Sequence, residues 1–173
     1  GPKGVGCLFV RRGVRLEPLI IGGDQERGRR AGTESPALIA GLAEALAIAE
    51  KGRARESTRH SKLRDWLIGK VLSGITDTKL NGDGEKRLPN NVNFSFKDVD
   101  GEMLMLALNQ KGIAVSTGSA CTTSETGQSH VMKAIRNPIS WGNIRISFGR
   151  KISFAELKSF LAILKKEVEK LRK

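Results

Sequence analysis

Apolar residues recur along this chain with two different spacings, and the switch between them marks out its elements. Residues 4–12 form a short apolar run ending in two arginines, the pattern of a buried strand reaching the surface, with Cys7 inside it. Residues 16–22 read as a second extended piece. Residues 22–33 are rich in glycine and charge with little apolar content, and predict a loop. Ser35-Pro36 predicts a helix start, because proline at the first helical position loses no hydrogen bond. Residues 37–51 carry apolar positions at helical spacing. A second helical stripe, Leu63, Trp66, Leu67 and Val71, lies within 57–72. Gly52 is expected to break or bend the join.

Beyond residue 75 the pattern shortens. Residues 78–81 predict a strand, and Asn81-Gly82-Asp83-Gly84 a turn. Residues 91–96 alternate polar and apolar, as a half-buried strand does. Asp100 is placed to cap a helix running to Asn109, with Gly112 ending it. A brief strand over 113–115, a loop over 116–128 and a short helix over 129–135 follow. Residues 143–148 alternate again. Ser153 is placed to cap a last helix whose apolar stripe is Leu157, Phe160, Leu161, Leu164, Val168 and Leu171. The fold class is α/β, turning to α+β in the C-terminal part: a small, mostly antiparallel sheet with helices on one face. Residues 1–55 hold too little to close a core of their own, so the expected division is 1–55, an incomplete piece of a larger domain with a linking helix, and 56–173, a small domain.

Composition narrows the function. The chain has 173 residues, 39% of them hydrophobic, and no apolar run near the ~20 residues of a membrane-spanning helix. It opens without a signal-peptide pattern and without Met, as a fragment would. Two cysteines, Cys7 and Cys121, make no disulfide framework and no metal spacing, and suggest a reducing compartment. The expected location is cytoplasmic, or an organelle in a eukaryote. The net charge of +12 invites nucleic acid or an acidic partner, but with 5% aromatics and no tyrosine the pattern argues against nucleic acid.

Three constellations carry candidate chemistry. Cys121 sits in Ser116-Thr117-Gly118-Ser119-Ala120-Cys121-Thr122-Thr123, a small polar segment that could present a reactive thiol or hold an ordinary surface one. The loop Gly22 to Thr33 offers N–H groups, arginines and a hydroxyl at a loop-to-helix junction, suited to a phosphate or simply a charged surface loop. Arg145 alternates with Ile144, Ile146 and Phe148, on the same face as Asn143 and Ser147. There it could fork onto a carboxylate or face solvent.

Six segments occur in order: Gly1-Pro2-Lys3-Gly4-Val5-Gly6, Gln25-Glu26-Arg27-Gly28-Arg29-Arg30-Ala31-Gly32-Thr33-Glu34, Leu88-Pro89-Asn90-Asn91-Val92-Asn93, Gly118-Ser119-Ala120-Cys121, Ser129-His130-Val131 and Ile144-Arg145-Ile146-Ser147-Phe148-Gly149. With them the chain resembles the pyridoxal-phosphate-dependent cysteine desulfurases of the class V aminotransferase family, in the subgroup with the longer cysteine loop. The resemblance implies pyridoxal-phosphate fold type I and conversion of L-cysteine to L-alanine. It implies that Cys121 is the nucleophile and persulfide carrier, that Arg145 holds the substrate carboxylate, and that Thr33 reaches a neighbouring subunit's cofactor phosphate in a homodimer. A sulfur-acceptor scaffold or carrier protein, as in iron–sulfur cluster assembly, is the implied partner. The family's Schiff-base lysine, stacking histidine and pyridine-nitrogen aspartate have no counterpart in these residues, and Lys3 is not that lysine. A carboxy-terminal portion, inactive by itself, is therefore expected. Asp24 stands where glycine is more usual and Thr117 where serine is. A stand-alone sulfur-relay module docking an acidic partner, and a selenocysteine lyase sharing the fold, remain as alternatives.

Overall fold

A computed structural model describes residues 1–117 and 129–172. The elements are a helical turn α1 (Gln25–Gly28), a long helix α2 (Pro36–Gly74), strands β1 (Thr78–Leu80) and β2 (Asn91–Lys97), helices α3 (Gly101–Asn109) and α4 (His130–Ala134), strand β3 (Trp141–Ser147) and helix α5 (Phe154–Leu171). The chain divides into two compact units, Gly1–Ala54 and Arg55–Lys173.

The second unit holds the core. Its sheet is antiparallel in the order β1-β2-β3. Val92, Phe94 and Phe96 of β2 and Ile144 and Ile146 of β3 point to one face and are buried. Against them lie Leu63, Leu67 and Val71 of α2, Leu104 and Leu108 of α3, and Leu157, Phe160, Leu164 and Val168 of α5. Asp100 Oδ1 accepts from the backbone of Glu102 and Met103, which starts α3. Ser153 and Glu156 close a reciprocal capping box that starts α5. Gly142 and Gly101 let β3 and the start of α3 meet. A Cβ on Gly101 would lie 2.8 Å from the Asn143 carbonyl oxygen, and one on Gly142 would overlap the Val99 carbonyl oxygen.

Three local expectations change. Residues 4–12 form no strand, and Cys7 is exposed rather than buried. A strand needs a neighbour for its N–H and C=O groups, and this unit supplies none. Leu8, Phe9, Leu19 and Ile21 accordingly stay exposed. Gly52 does not break the helix, since α2 runs from Pro36 to Gly74. One glycine costs about 1 kcal/mol, which the alanine-rich run before it and the Glu50–Arg53 and Glu56–Arg59 pairs at helical spacing offset. Residues 113–115 are not a strand; a single bridge, Ser116 with Arg145, takes its place. Among the described residues no helix is long and apolar enough to cross a membrane.

Candidate active site

The face of the sheet opposite the core is polar. Alternation puts Asn91, Asn93 and Ser95 of β2 on it, paired with Ser147, Arg145 and Asn143 of β3. Arg145 is exposed between buried Ile144 and Ile146, as the alternation of the sequence predicts.

The hydrogen-bond pattern fixes how close these side chains lie. Arg145 spends its backbone groups on Ser116: Arg145 N–H donates to the Ser116 carbonyl at 2.6 Å and Ser116 N–H to the Arg145 carbonyl at 3.1 Å. Arg145 and Asn93 therefore form a non-hydrogen-bonded pair, the kind in which side chains approach more closely. Asn93 spends its carbonyl on the other side, accepting from Asn81 N–H at 2.9 Å. One cross-strand row thus runs Asn81, Asn93, Arg145, Ser116. Ser116 is the last residue but one before 118–128, the segment with Cys121, which lies outside the described residues.

Asn81 is buried and ties two rows together. Its Nδ2 donates to Asn93 Oδ1 at 2.8 Å and to Ser95 Oγ at 2.7 Å. Its own carbonyl accepts from Arg87 Nη2 at 2.7 Å, and Arg87 Nε donates to the Asp83 carbonyl at 2.6 Å. Burial pulls Arg87 below its ordinary value, with the neighbouring Arg64 adding to that. Asp83 anchors the turn: its Oδ1 accepts from the N–H groups of Glu85 and Lys86 at 2.7 Å each. Those bonds, Lys86 first, hold its carboxyl below the usual aspartate range. Among the described residues, Asn81 Oδ1 and Asn143 Nδ2 are buried without a hydrogen-bond partner. The Arg145 guanidinium is exposed and, among the described residues, makes no ion pair or side-chain hydrogen bond. A guanidinium on a polar sheet face can fork onto a carboxylate.

The end of β3 is clamped. Arg59 Nη1 donates to the Ile152 carbonyl at 2.7 Å and Nη2 to the Arg150 carbonyl at 2.6 Å, while Asn90 Nδ2 donates to the Phe148 carbonyl at 3.3 Å. The strand bearing Arg145 is thereby held by α2 and by the segment before β2.

Thr33 belongs to the first unit, where it is exposed two residues before Ser35. Gln25 Oε1 accepts from Gly32 N–H at 3.1 Å, and Ala31 N–H donates to the Ile20 carbonyl at 3.1 Å, which closes the loop. Glu26 and Arg27 have φ of 52° and 60°, two consecutive non-glycine residues in the left-handed region. Arg27, Arg29 and Arg30 are exposed around it, so hydroxyl and positive charge share one loop. That donor set suits a phosphate group.

The alternation of the sequence put Arg145 on this polar face, where it lies. The sequence reads Asn81 as a strand end and turn residue and gives Asn93 no role. The signal for Asn93 was present in the alternation of β2, but pairing it with Arg145 requires the register, which one strand's pattern does not carry.

Comparison with known proteins agrees with this architecture. The Aminotransferase class-V family model matches residues 1–160. The chain is 45% identical to cysteine desulfurase IscS of Dictyoglomus turgidum, over 99% of this chain and 44% of that protein. It is 46% identical to a cysteine desulfurase of Gluconacetobacter diazotrophicus, over 99% of this chain and 43% of that protein. The chain thus spans less than half the length of these relatives. Among solved structures, a NifS-like protein superposes with a TM-score of 0.78 at 32% identity, covering 93% of this chain and 41% of that one. A NifS-like protein from Rickettsia africae, at 23% identity and a TM-score of 0.75, shares the fold. Family model, relatives and fold agree: the chain belongs to the class-V aminotransferase family, and it is similar over nearly its whole length to cysteine desulfurases.

Proposed function

We propose that these residues form the sulfur-accepting part of a cysteine desulfurase. Arg145 binds the carboxylate of L-cysteine, and Cys121 takes its sulfur. The observation that carries this reading is the Ser116–Arg145 bridge, which roots the cysteine segment beside the exposed Arg145. Cys121 follows Ser116 by five positions, so at ~3.3–3.6 Å per residue the chain between them spans at most roughly 17 Å. This is enough to meet a substrate held at Arg145 and to turn outward to an acceptor protein.

Arg145 orients the substrate by a bidentate charge-assisted contact. The Cys121 thiolate attacks the substrate sulfur, forming a sulfur–sulfur bond as the carbon–sulfur bond breaks. The carbon gains a proton and leaves as L-alanine, and Cys121 keeps the sulfur as a persulfide for an acceptor such as an iron–sulfur scaffold. Pyridoxal phosphate, when bound, supplies the sink for the electron pair of the cleaved bond. From this chain Thr33, with the arginines of its loop, would meet the phosphate of a partner subunit's cofactor, which makes the working enzyme a homodimer. The exposed Leu8, Phe9, Leu19 and Ile21 support assigning residues 1–55 to a larger cofactor-binding domain. The 173 residues alone are expected to release no sulfide from L-cysteine.

The test is peptide mass mapping of the full-length, cofactor-loaded protein after anaerobic incubation with L-cysteine. Cys121 should gain one sulfur atom in step with alanine, and Cys121→Ser should yield neither. Sulfur carried on Cys7, or undiminished alanine formation by Cys121→Ser, would overturn the reading.

A further inference from the structure

The row beside Arg145 contains a second side-chain donor, Asn93. We propose that Asn93 is a carboxylate-binding residue, acting with Arg145 on the same ligand, and that Asn81 positions its amide. The inference rests on the reading of Arg145 as a carboxylate receptor and extends it to a two-residue site.

Three observations carry it. Asn93 and Arg145 face each other in register as a non-hydrogen-bonded pair on the polar side of the sheet, so their side chains leave the strands together. The Asn93 amide is oriented: its Oδ1 is occupied by Asn81 Nδ2 at 2.8 Å, and Asn81 is itself buried and held through Ser95 Oγ at 2.7 Å and Arg87 Nη2 at 2.7 Å. With Oδ1 turned to Asn81, the Asn93 NH2 is the end directed away from that bond, and among the described residues it donates to no acceptor. A side-chain amide donor facing a guanidinium that makes no ion pair among the described residues gives a donor-rich site. It suits an anion with several acceptor oxygens and repels a ligand that offers N–H groups in the same place. A planar carboxylate can take the guanidinium fork on one edge and the amide hydrogen on the other.

Asn81 is a positioning residue here. Were its Nδ2 replaced by an acceptor, the Asn93 amide would have to turn over to donate to it, and Asn93 would then present Oδ1, an acceptor, to the ligand.

Nuclear magnetic resonance on the 15N-labelled chain reads this directly. Titration with L-alanine should shift the Asn93 side-chain NH2 and the Arg145 Nε–H resonances along one saturable curve, and L-alaninamide, which lacks the carboxylate, should shift neither. Asn81→Asp should weaken L-alanine binding about tenfold, the loss of one charge-assisted hydrogen bond. Asn93→Asp, which sets a carboxylate against Arg145, should abolish it; this second substitution is at a half-buried position and does not depend on the buried Asn81 surviving replacement. If L-alanine shifts Arg145 but leaves the Asn93 NH2 unmoved, or if Asn93→Asp binds as the parent does, the role of Asn93 is refuted while the carboxylate reading of Arg145 stands. If L-alanine shifts neither resonance, both fall.

Discussion

Removal of the Arg59 guanidinium tests whether the end of β3 is held by hydrogen bonds across the fold or by a local ion pair on α2. Arg59 makes both kinds of contact. It donates to the Ile152 and Arg150 carbonyls at 2.7 and 2.6 Å, more than ninety residues away in sequence, and it pairs with Glu56 Oε2 at 3.1 Å one turn back. A hydrogen bond from a charged donor contributes about 1.5–3 kcal/mol. The Arg59 side chain is 33% exposed, so water can replace part of what each carbonyl loses, and roughly half that sum survives, about 1.5–3 kcal/mol for the two bonds together. The Glu56 pair, a helical neighbour pair, contributes only ~0.3–0.5 kcal/mol. Arg59→Ala should therefore lower the urea midpoint of the second unit several times more than Glu56→Gln does. Arg59→Lys should fall between them, because an ammonium keeps the charge but cannot fork onto two carbonyls. Urea unfolding followed by far-ultraviolet circular dichroism measures all three. Hydrogen exchange should quicken at Ile152 N–H, which donates to the Gly149 carbonyl inside the clamped segment. Equal losses for Arg59→Ala and Glu56→Gln would refute the reasoning, since the long-range bonds would then contribute nothing.

Two further outcomes follow from local geometry. Gly142→Ala should destabilise the second unit by several kcal/mol, on the order of the worst core substitutions, because the added methyl overlaps the Val99 carbonyl oxygen and the Gly101 nitrogen; a thermal midpoint within a few degrees of the parent's would count against the close approach of β3 and α3. Glu156 is held below the usual glutamate range by the Ser153 hydroxyl first and the Ser153 backbone N–H second. A depressed folded value means its contribution is complete above the unfolded value and is lost as pH falls through the folded one. Glu156→Gln, which keeps a capping-box partner but not its charge, should be less stable than the parent near neutral pH and converge with it as acidification below pH ~4 protonates Glu156; parallel acid profiles would refute the link.

The legibility of the molecule in its sequence differs element by element. α3, α5 and the two long strands were readable because their information is local. Asp100 and Ser153 announce helix starts by their side-chain oxygens, and 91–96 and 143–148 show their buried face by strict alternation. The same alternation put Arg145 on a polar face with Asn143 and Ser147. The failures share one cause, which is partnership. Residues 4–12 have a strand's composition, but a strand exists only with a neighbour. Gly52 looks like a break, but one weak residue is outvoted inside a 39-residue helix. Residues 113–115 needed a ladder and received one bridge.

The chain's order of residues, by itself, determined which positions face the core, where the helices of the second unit begin, and which motifs place it among the class-V aminotransferases. Only the tertiary structure decided that Asn81, Asn93, Arg145 and Ser116 lie in one row. Register between strands is set by which hydrogen-bonding groups meet across dozens of residues, and no period within a single strand encodes its partner's offset.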